Sequence, residues 1–282
     1  MLRLRVCFHV SIELSNLLLV LLPAILLVSL ISCSQEFECP ESSFTENYVV
    51  SDLRKSSVEF EAFYQAERGK ITGQVCWVKD GQIEESNAAE LETSEVNGKT
   101  VAVIHLREIP PSLDDAATIA HELEHLVLNA EGFPSTNATY EFKWLCLSLN
   151  ELVSRPLINS RLQNFRLIDW CKSYDEQIEE TLNGFKQIPS SSGPPDRLTR
   201  IQWTFQYSDM LLEGKLACKN TSDSEKEFQS LFESRYPSIA NEGRLLLALV
   251  KERGYDTPEK MRVLLKEIIH RYVLDDIISL DS

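Results

Sequence analysis

The residues of this chain best suited to chemistry are His121 and His125, which lie four positions apart in the pentapeptide His-Glu-Leu-Glu-His. Positions i and i+4 share one face of a helix, so both imidazoles can bind one zinc ion. Glu122 lies one step round the helix, where its carboxylate can take a proton from a zinc-bound water without binding the metal. Glu124 points to the opposite side, and we expect it to be solvated or to support the site indirectly. This spacing predicts a zinc site with Glu122 as the general base.

The residues around the pentapeptide favour a helix buried beneath a catalytic cleft. They are uncharged and mostly apolar: Ala117, Ile119, Ala120, Leu123, Leu126 and Val127. The alternative is a pair of histidines on the surface of an amphipathic helix, with no metal bound.

A third zinc ligand is expected, because a catalytic zinc ion usually has three protein ligands and an open fourth position. Downstream, residues 150–154 read Asn-Glu-Leu-Val-Ser. Together with the His-Glu-Leu-Glu-His segment, this resembles the thermolysin-type (gluzincin) zinc metallopeptidases, in which a glutamate on a following helix binds zinc. The resemblance covers roughly residues 100–155 and implies that Glu151 is the third ligand. Where that pattern continues with an aspartate that supports a ligand histidine, this chain has Arg155.

Two other glutamates compete with Glu151 for the third position. In the metzincin pattern a glycine follows the motif and a third histidine binds the metal, but this chain has Leu128 and Glu131 at those places. Without the glycine the helix has no reason to turn, so Glu131 is not expected to be a ligand. Glu141 lies nearer to the motif than Glu151 does, but no matching context surrounds it.

The resemblance also implies a substrate site. In zincins an edge strand before the active-site helix pairs with an extended peptide, and the β-branched segment 99–107 lies where such a strand is needed. His105 on this segment is expected to be a packed or surface residue. A further residue often stabilises the oxyanion in such peptidases, and Tyr140, Arg155 and Tyr174 are all candidates.

The remaining pattern predicts an α+β fold that is predominantly helical. Its core is expected to be zincin-like, with a small sheet, the active-site helix and a helix that carries Glu151. Strands are predicted at 70–79 and 99–107, and residues 82–98 are predicted to be an acidic loop that closes at the turn Asn97-Gly98. The predicted helices cover about 51–68, 113–130, 137–154, a stretch from Pro156 towards Ile188, 197–218, 224–235, 239–253 and 258–273. Ser112 or Asp114 is expected to cap the helix at 113–130, and Gly132 and Pro134 are expected to end it. Thr257 is the expected N-cap of the last helix, with Pro258 at its first position.

The domain organisation follows from composition shifts. A tether is predicted at 33–50, a zincin-like metallopeptidase domain at 51–189 and a helical C-terminal region at 196–282, either packed on the core or separate. The Ser/Gly/Pro segment 190–195 is the predicted linker between the last two.

The first 32 residues predict export. Residues 17–31 are uncharged and apolar, and Arg3 and Arg5 precede them, which is the arrangement of a secretory signal. The following Leu-Ile-Ser-Cys resembles the lipobox of bacterial lipoproteins, which implies that residues 1–32 are removed and that Cys33 carries lipid. The alternatives are an uncleaved membrane anchor or a cleaved signal without lipid.

Charge and cysteine content exclude some classes of function. The formal net charge of -15 argues against binding to nucleic acid, which depends on Lys and Arg. No CxxC pair is present, so a cysteine zinc site is not indicated. Cys146 lies among apolar residues and is expected to be buried, and an odd number of cysteines remains once Cys33 carries lipid. No disulfide pairing can be assigned from the sequence.

The sequence therefore predicts a zinc-dependent peptidase at the outer face of a membrane. Its expected cofactor is Zn²⁺, and its expected partners are a peptide or protein substrate and a membrane, bound through lipidated Cys33 or the N-terminal apolar segment. The alternative is a non-catalytic envelope lipoprotein that uses a zincin-like domain as a binding scaffold. A metal-buffering protein is disfavoured, because the chain has no His-rich tract.

Overall fold

The computed structural model describes residues 39–83, 88–96, 99–188 and 195–280. The signal segment 1–32, Cys33, the turn at Asn97-Gly98 and most of the linker 190–195 lie outside the described residues. Within the described ranges no helix has both the length and the apolar character that crossing a membrane requires.

The described residues form nine α-helices and five β-strands, which confirms an α+β fold that is predominantly helical. The helices are α1 (Glu46–Ser56), α2 (Val58–Glu67), α3 (Ala116–Ala130), α4 (Lys143–Asn164), α5 (Trp170–Gln187), α6 (Arg197–Ala217), α7 (Asp223–Arg235), α8 (Pro237–Arg253) and α9 (Pro258–Arg271). The strands are β1 (Gln74–Lys79), β2 (Ala89–Val96), β3 (Lys99–Leu106), β4 (Thr136–Ala138) and β5 (Ile278–Leu280).

The larger sheet has the strand order β1-β3-β2, with β3 parallel to β1 and antiparallel to β2. The predicted strand at 99–107 is therefore present as β3, but it is the central strand and not the edge strand that was expected. The edge strand beside it is β2, which lies inside the segment 82–98, so the prediction of a loop there was wrong. Three residues of β2 are acidic, and its apolar residues Ala89, Leu91 and Val96 do not keep the regular alternation of a half-buried strand.

The N-terminal part of the fold begins earlier than the predicted tether allows. Thr45 caps α1 through its side chain, and Val49 and Val50 on this helix are fully buried. The tether predicted at 33–50 therefore extends too far, because burial of these valines makes α1 part of the core. The single helix predicted at 51–68 is two helices, since Ser57 ends α1 and its hydroxyl accepts a hydrogen bond from the Phe60 amide at the start of α2.

Helix α3 carries the His-Glu-Leu-Glu-His segment, and its ends follow the predicted signals. Ser112 and Asp115 form a reciprocal capping box at its start, around a short 3-10 turn. Gly132 follows its last residues at φ +87°, a left-handed conformation that glycine adopts at little cost. The apolar face of α3 is buried in the core: Ala116, Ile119, Ala120, Leu123, Leu126, Val127 and Leu128.

Helix α4 is longer than predicted and starts later. The predicted helix at 137–154 begins only at Lys143, because residues 136–138 form β4 and pair with β5. Pro156 lies inside α4 and neither ends it nor opens a separate helix. Proline removes one helical hydrogen bond, but the buried face of α4 around Leu152, Val153 and Ile158 holds the helix together through this position.

The C-terminal helices pack on the core and are not a separate unit. Helix α6 packs against α4, α8 packs against α6, and β5 completes a two-stranded sheet with β4. The helices predicted after Pro195 match α6 to α9 closely in their bounds. The N-cap Thr257 and the first-turn Pro258 of α9 are also as predicted.

Two disulfides cross-link the described part of the chain. Cys39 is bonded to Cys76 and Cys171 to Cys218, over sequence separations of 37 and 47 residues. In the chain-entropy description, loops of this length correspond to about 4 kcal/mol of stabilisation each. Cys146 belongs to neither of these disulfides and is buried, which confirms the expected burial of that residue.

Candidate metal centre

The two histidines of α3 face each other on one side of the helix. Their Nε2 atoms are 3.2 Å apart, and the ring centroids are 4.9 Å apart in an edge-to-face arrangement. The i and i+4 spacing therefore presents two imidazole nitrogens to one point, as the sequence predicts.

Glu151 approaches these histidines from α4. Its Oε1 atom is 3.6 Å from Nε2 of His125, and the donor atoms of the three residues all lie within 4.8 Å of one another. Glu141 does not belong to this group. The carboxylate of Glu131 binds Arg161 at 2.7 Å and Lys70 at 3.1 Å instead. The structure thus brings together the three predicted ligands and leaves out both competing glutamates.

The protonation states of the three residues suit a divalent metal. Burial and the neighbouring His125 lower the pKa of His121 to about 3, and burial also lowers the pKa of His125. Burial alone would raise the pKa of Glu151, but the Arg155 guanidinium and the two imidazoles lower it to about 2. Two neutral imidazoles and one carboxylate form a donor set that fits zinc and other first-row divalent ions.

Arg155 orients Glu151 and ties it to the C-terminal helices. Its Nε donates to Oε2 of Glu151 at 2.7 Å, and its Nη1 donates to Oδ2 of Asp209 on α6 at 3.1 Å. Glu213, one turn further along α6, has its Oε2 3.9 Å from the same Nη1. Burial would lower the pKa of Arg155, but these three carboxylates raise it. These contacts fix the carboxylate of Glu151 and join α4 to α6.

Asp209 and Glu213 are the residues of this region that sequence reasoning missed. They lie more than 50 positions after Arg155, so no local pattern connects them. A signal was nevertheless present. Two acidic residues at i and i+4 flank the apolar segment Met210–Leu212, and carboxylates buried with such a segment require a partner.

Glu122 lies beside the ligand group and next to strand β2. The Leu91 backbone amide donates a hydrogen bond to its carboxylate. Burial, with repulsion from Glu151 and Glu90, raises the pKa of Glu122 to about 8. A divalent cation held by the three ligands would lower this pKa, because nearby positive charge favours the carboxylate form.

No protein-family model, curated protein or solved structure matches this chain. The interpretation of the centre therefore depends on the donor atoms, their distances and their protonation states. The resemblance of residues 100–155 to thermolysin-type peptidases stays a prediction.

Glu124 has a different environment from the one expected. It is fully buried, and its Oε1 accepts a hydrogen bond from Nη1 of Arg161 on α4 at 2.7 Å. Of the two alternatives predicted for Glu124, the solvated side chain was wrong, because Arg161 supplies a cation inside the α3–α4 contact. Glu124 thus holds together the two helices that carry the ligands.

The other residues predicted from the sequence do not belong to the group of candidate ligands. His105 lies against Asp80 and Glu92, with nitrogen–oxygen distances of 3.4 and 3.6 Å, so it is a packed residue. Among the oxyanion candidates, the Tyr174 hydroxyl donates to the Met210 carbonyl, and Arg155 is engaged as described. Tyr140 is 92% exposed just before α4.

Proposed function

We propose that this protein is a zinc-dependent metallopeptidase. The observation that carries the proposal is the convergence of the His121, His125 and Glu151 donor atoms within 4.8 Å, with Glu122 beside them. Zinc bound there would polarise the scissile carbonyl and lower the pKa of a water molecule. No side chain of the described residues needs to act as a covalent nucleophile in this reaction.

In this proposal, residues of the chain transfer the protons of hydrolysis and bind the substrate. Glu122 accepts a proton from the attacking water and passes it to the leaving amine. The Leu91 amide fixes the carboxylate of Glu122, which keeps the base in position during both transfers. Strand β2 is the edge of the sheet next to α3, and its outer side offers main-chain hydrogen bonds to an extended peptide.

The metal content of the purified protein tests the proposal. We expect about one zinc per chain by mass spectrometry of the metal, since three ligands with an open position describe a catalytic site. Removal with a chelator should abolish cleavage of a mixed peptide substrate, and added Zn²⁺ should restore it. Purified protein that binds no stoichiometric zinc would contradict the proposal and favour the non-catalytic scaffold.

We extend the proposal to an exported protein attached to a membrane by lipid on Cys33. Disulfides persist in oxidising compartments, so the bonds Cys39–Cys76 and Cys171–Cys218 support export. In a bacterial host fed labelled palmitate, the wild type should carry the label and sediment with membranes. Cys33→Ala should lose both properties. Labelling that persists in Cys33→Ala would contradict lipidation at this residue.

A further inference from the structure

A cavity of about 440 Å³ lies among the C-terminal helices and reaches the candidate ligand Glu151. Residues of α4, α5, α6 and α7 line it, and Glu151 and Arg155 form part of its α4 wall. The rest of the wall is largely apolar and aromatic, and it includes Ile178, Phe185, Trp203, Tyr207, Phe228 and Phe232. The size and the aromatic wall are those of a site for a small ligand or a long side chain.

The acidic groups of this cavity outnumber its cations. Asp209 and Glu213 line it and are only 7% and 2% exposed. Together with Glu151 they share one guanidinium, that of Arg155. Asn159 adds a neutral donor to Glu213 at 2.8 Å. The cavity therefore has more carboxyl groups than cationic side chains to pair with them.

One oxygen of this acidic group is without a partner. Oδ2 of Asp209 binds Arg155, whereas its Oδ1 is buried and has no hydrogen-bond partner among the described residues. A buried polar atom left unpaired has a free-energy cost that a bound donor would remove. Burial also raises the pKa of Asp209 and of Glu213, as expected where negative charge is incompletely compensated.

We propose that this cavity binds the side chain of a lysine or arginine residue of the substrate, with the cation at Asp209 and Glu213. The proposal rests on the proposed peptidase function for the source of that side chain. The methylene stem of such a residue would pack along the aromatic wall, and its N–H groups would donate to the carboxyl groups of Asp209 and Glu213. A norleucine side chain has no donor for these carboxyl groups, and a glutamate would be repelled.

The first experiment measures binding without catalysis. The probes are n-hexylamine and n-hexan-1-ol, which are similar in length and differ in charge, titrated calorimetrically into the full-length protein. We expect the amine to bind at least about tenfold more tightly, since a hydrogen bond to a charged group contributes more than a neutral one. Equal affinities for the two probes would overturn the proposal.

Matched variants test whether the preference for the amine depends on Asp209 and Glu213. Asp209→Asn and Glu213→Gln each remove one charge with little change in shape, and each should reduce the preference for the amine by about tenfold. Asp52→Asn removes the same charge from the exposed surface of α1 and should keep the preference. Thermal unfolding shows whether each variant is folded. Because the two substitutions are independent, one folded variant is enough for the test. A preference unchanged in folded Asp209→Asn and Glu213→Gln would overturn the proposal.

The second experiment distinguishes a substrate side chain from a free amine. Capped peptides that differ only by lysine, arginine, norleucine or glutamate at one position are compared by kcat/KM. We expect the two basic peptides to be cleaved at least about tenfold faster than the norleucine peptide, and the ratio to fall towards one in Asp209→Asn. Cleavage of all four at similar rates would overturn the cavity proposal but leave the peptidase function standing. Amine-selective binding without cleavage of any peptide would overturn the peptidase function and assign the cavity to a free amine.

Discussion

Glu122→Gln should reduce peptide hydrolysis by about 10²- to 10⁴-fold, the usual contribution of a general base, while zinc remains bound. The glutamine has nearly the same shape as the glutamate, and its carbonyl oxygen can still accept the hydrogen bond from the Leu91 amide. It cannot accept a proton from water at neutral pH. His121, His125 and Glu151 are unchanged in this variant, so the zinc content should stay near one per chain.

Glu124→Gln is the matched control for this experiment. It is the same substitution two positions away, on the side of α3 that faces Arg161 and not the ligand group. Hydrolysis by this variant should be close to wild type, whereas its free energy of unfolding should fall by about 1–3 kcal/mol, because a buried charged hydrogen bond is weakened. Wild-type rates in Glu122→Gln would contradict the proposed mechanism.

Arg155→Met should lower the free energy of unfolding by about 3–5 kcal/mol, as expected when one partner of a buried ion pair is removed. Glu151, Asp209 and Glu213 would then lie close together without the guanidinium that now joins them. Urea denaturation monitored by circular dichroism measures the loss. A decrease below 1 kcal/mol would show that the ion pairs of Arg155 do not hold α4 against α6.

Two further variants separate the contribution of the Arg155 charge to stability from that of its side-chain geometry. Arg155→Lys keeps a cation but cannot reach Glu151 and Asp209 with two nitrogens of one planar group, so its loss should be smaller than that of Arg155→Met. Adding Asp209→Asn to Arg155→Met should recover part of the stability, because one fewer unpaired carboxylate remains. Strictly additive effects of the two substitutions would contradict direct coupling between these residues.

Local patterns sufficed to predict the parts of the site that lie on one helix. The His121 and His125 spacing, the Ser112 cap and the end of α3 near Gly132 all depend on interactions within a few residues, which the sequence shows directly. The position of Glu151 could be predicted only through the resemblance to a known arrangement, because it depends on how α4 packs against α3.

The features that escaped prediction depend on partners distant in the sequence. Strand β2 is identified by its pairing with β3, while its acidic residues suggest a loop. The Arg155–Asp209 contact and the cysteine pairs join residues that are dozens of positions apart, and nothing in the local sequence selects one partner over another. The local sequence around Glu124 suggests a surface residue, because its partner Arg161 lies 37 positions later.

The short sheet formed by β4 and β5 has a consequence for the order in which the centre is assembled. Strand β4 lies in the connection between α3 and α4, and Asn137 pairs with Ser279, which lies 142 positions later. At a synthesis rate of about 5–20 residues per second, the ribosome needs about 7–28 s to produce this partner. Until then the connection between the two ligand-bearing helices lacks its strand partner. We therefore expect the β4–β5 sheet, and with it the final position of this connection, to form late in translation.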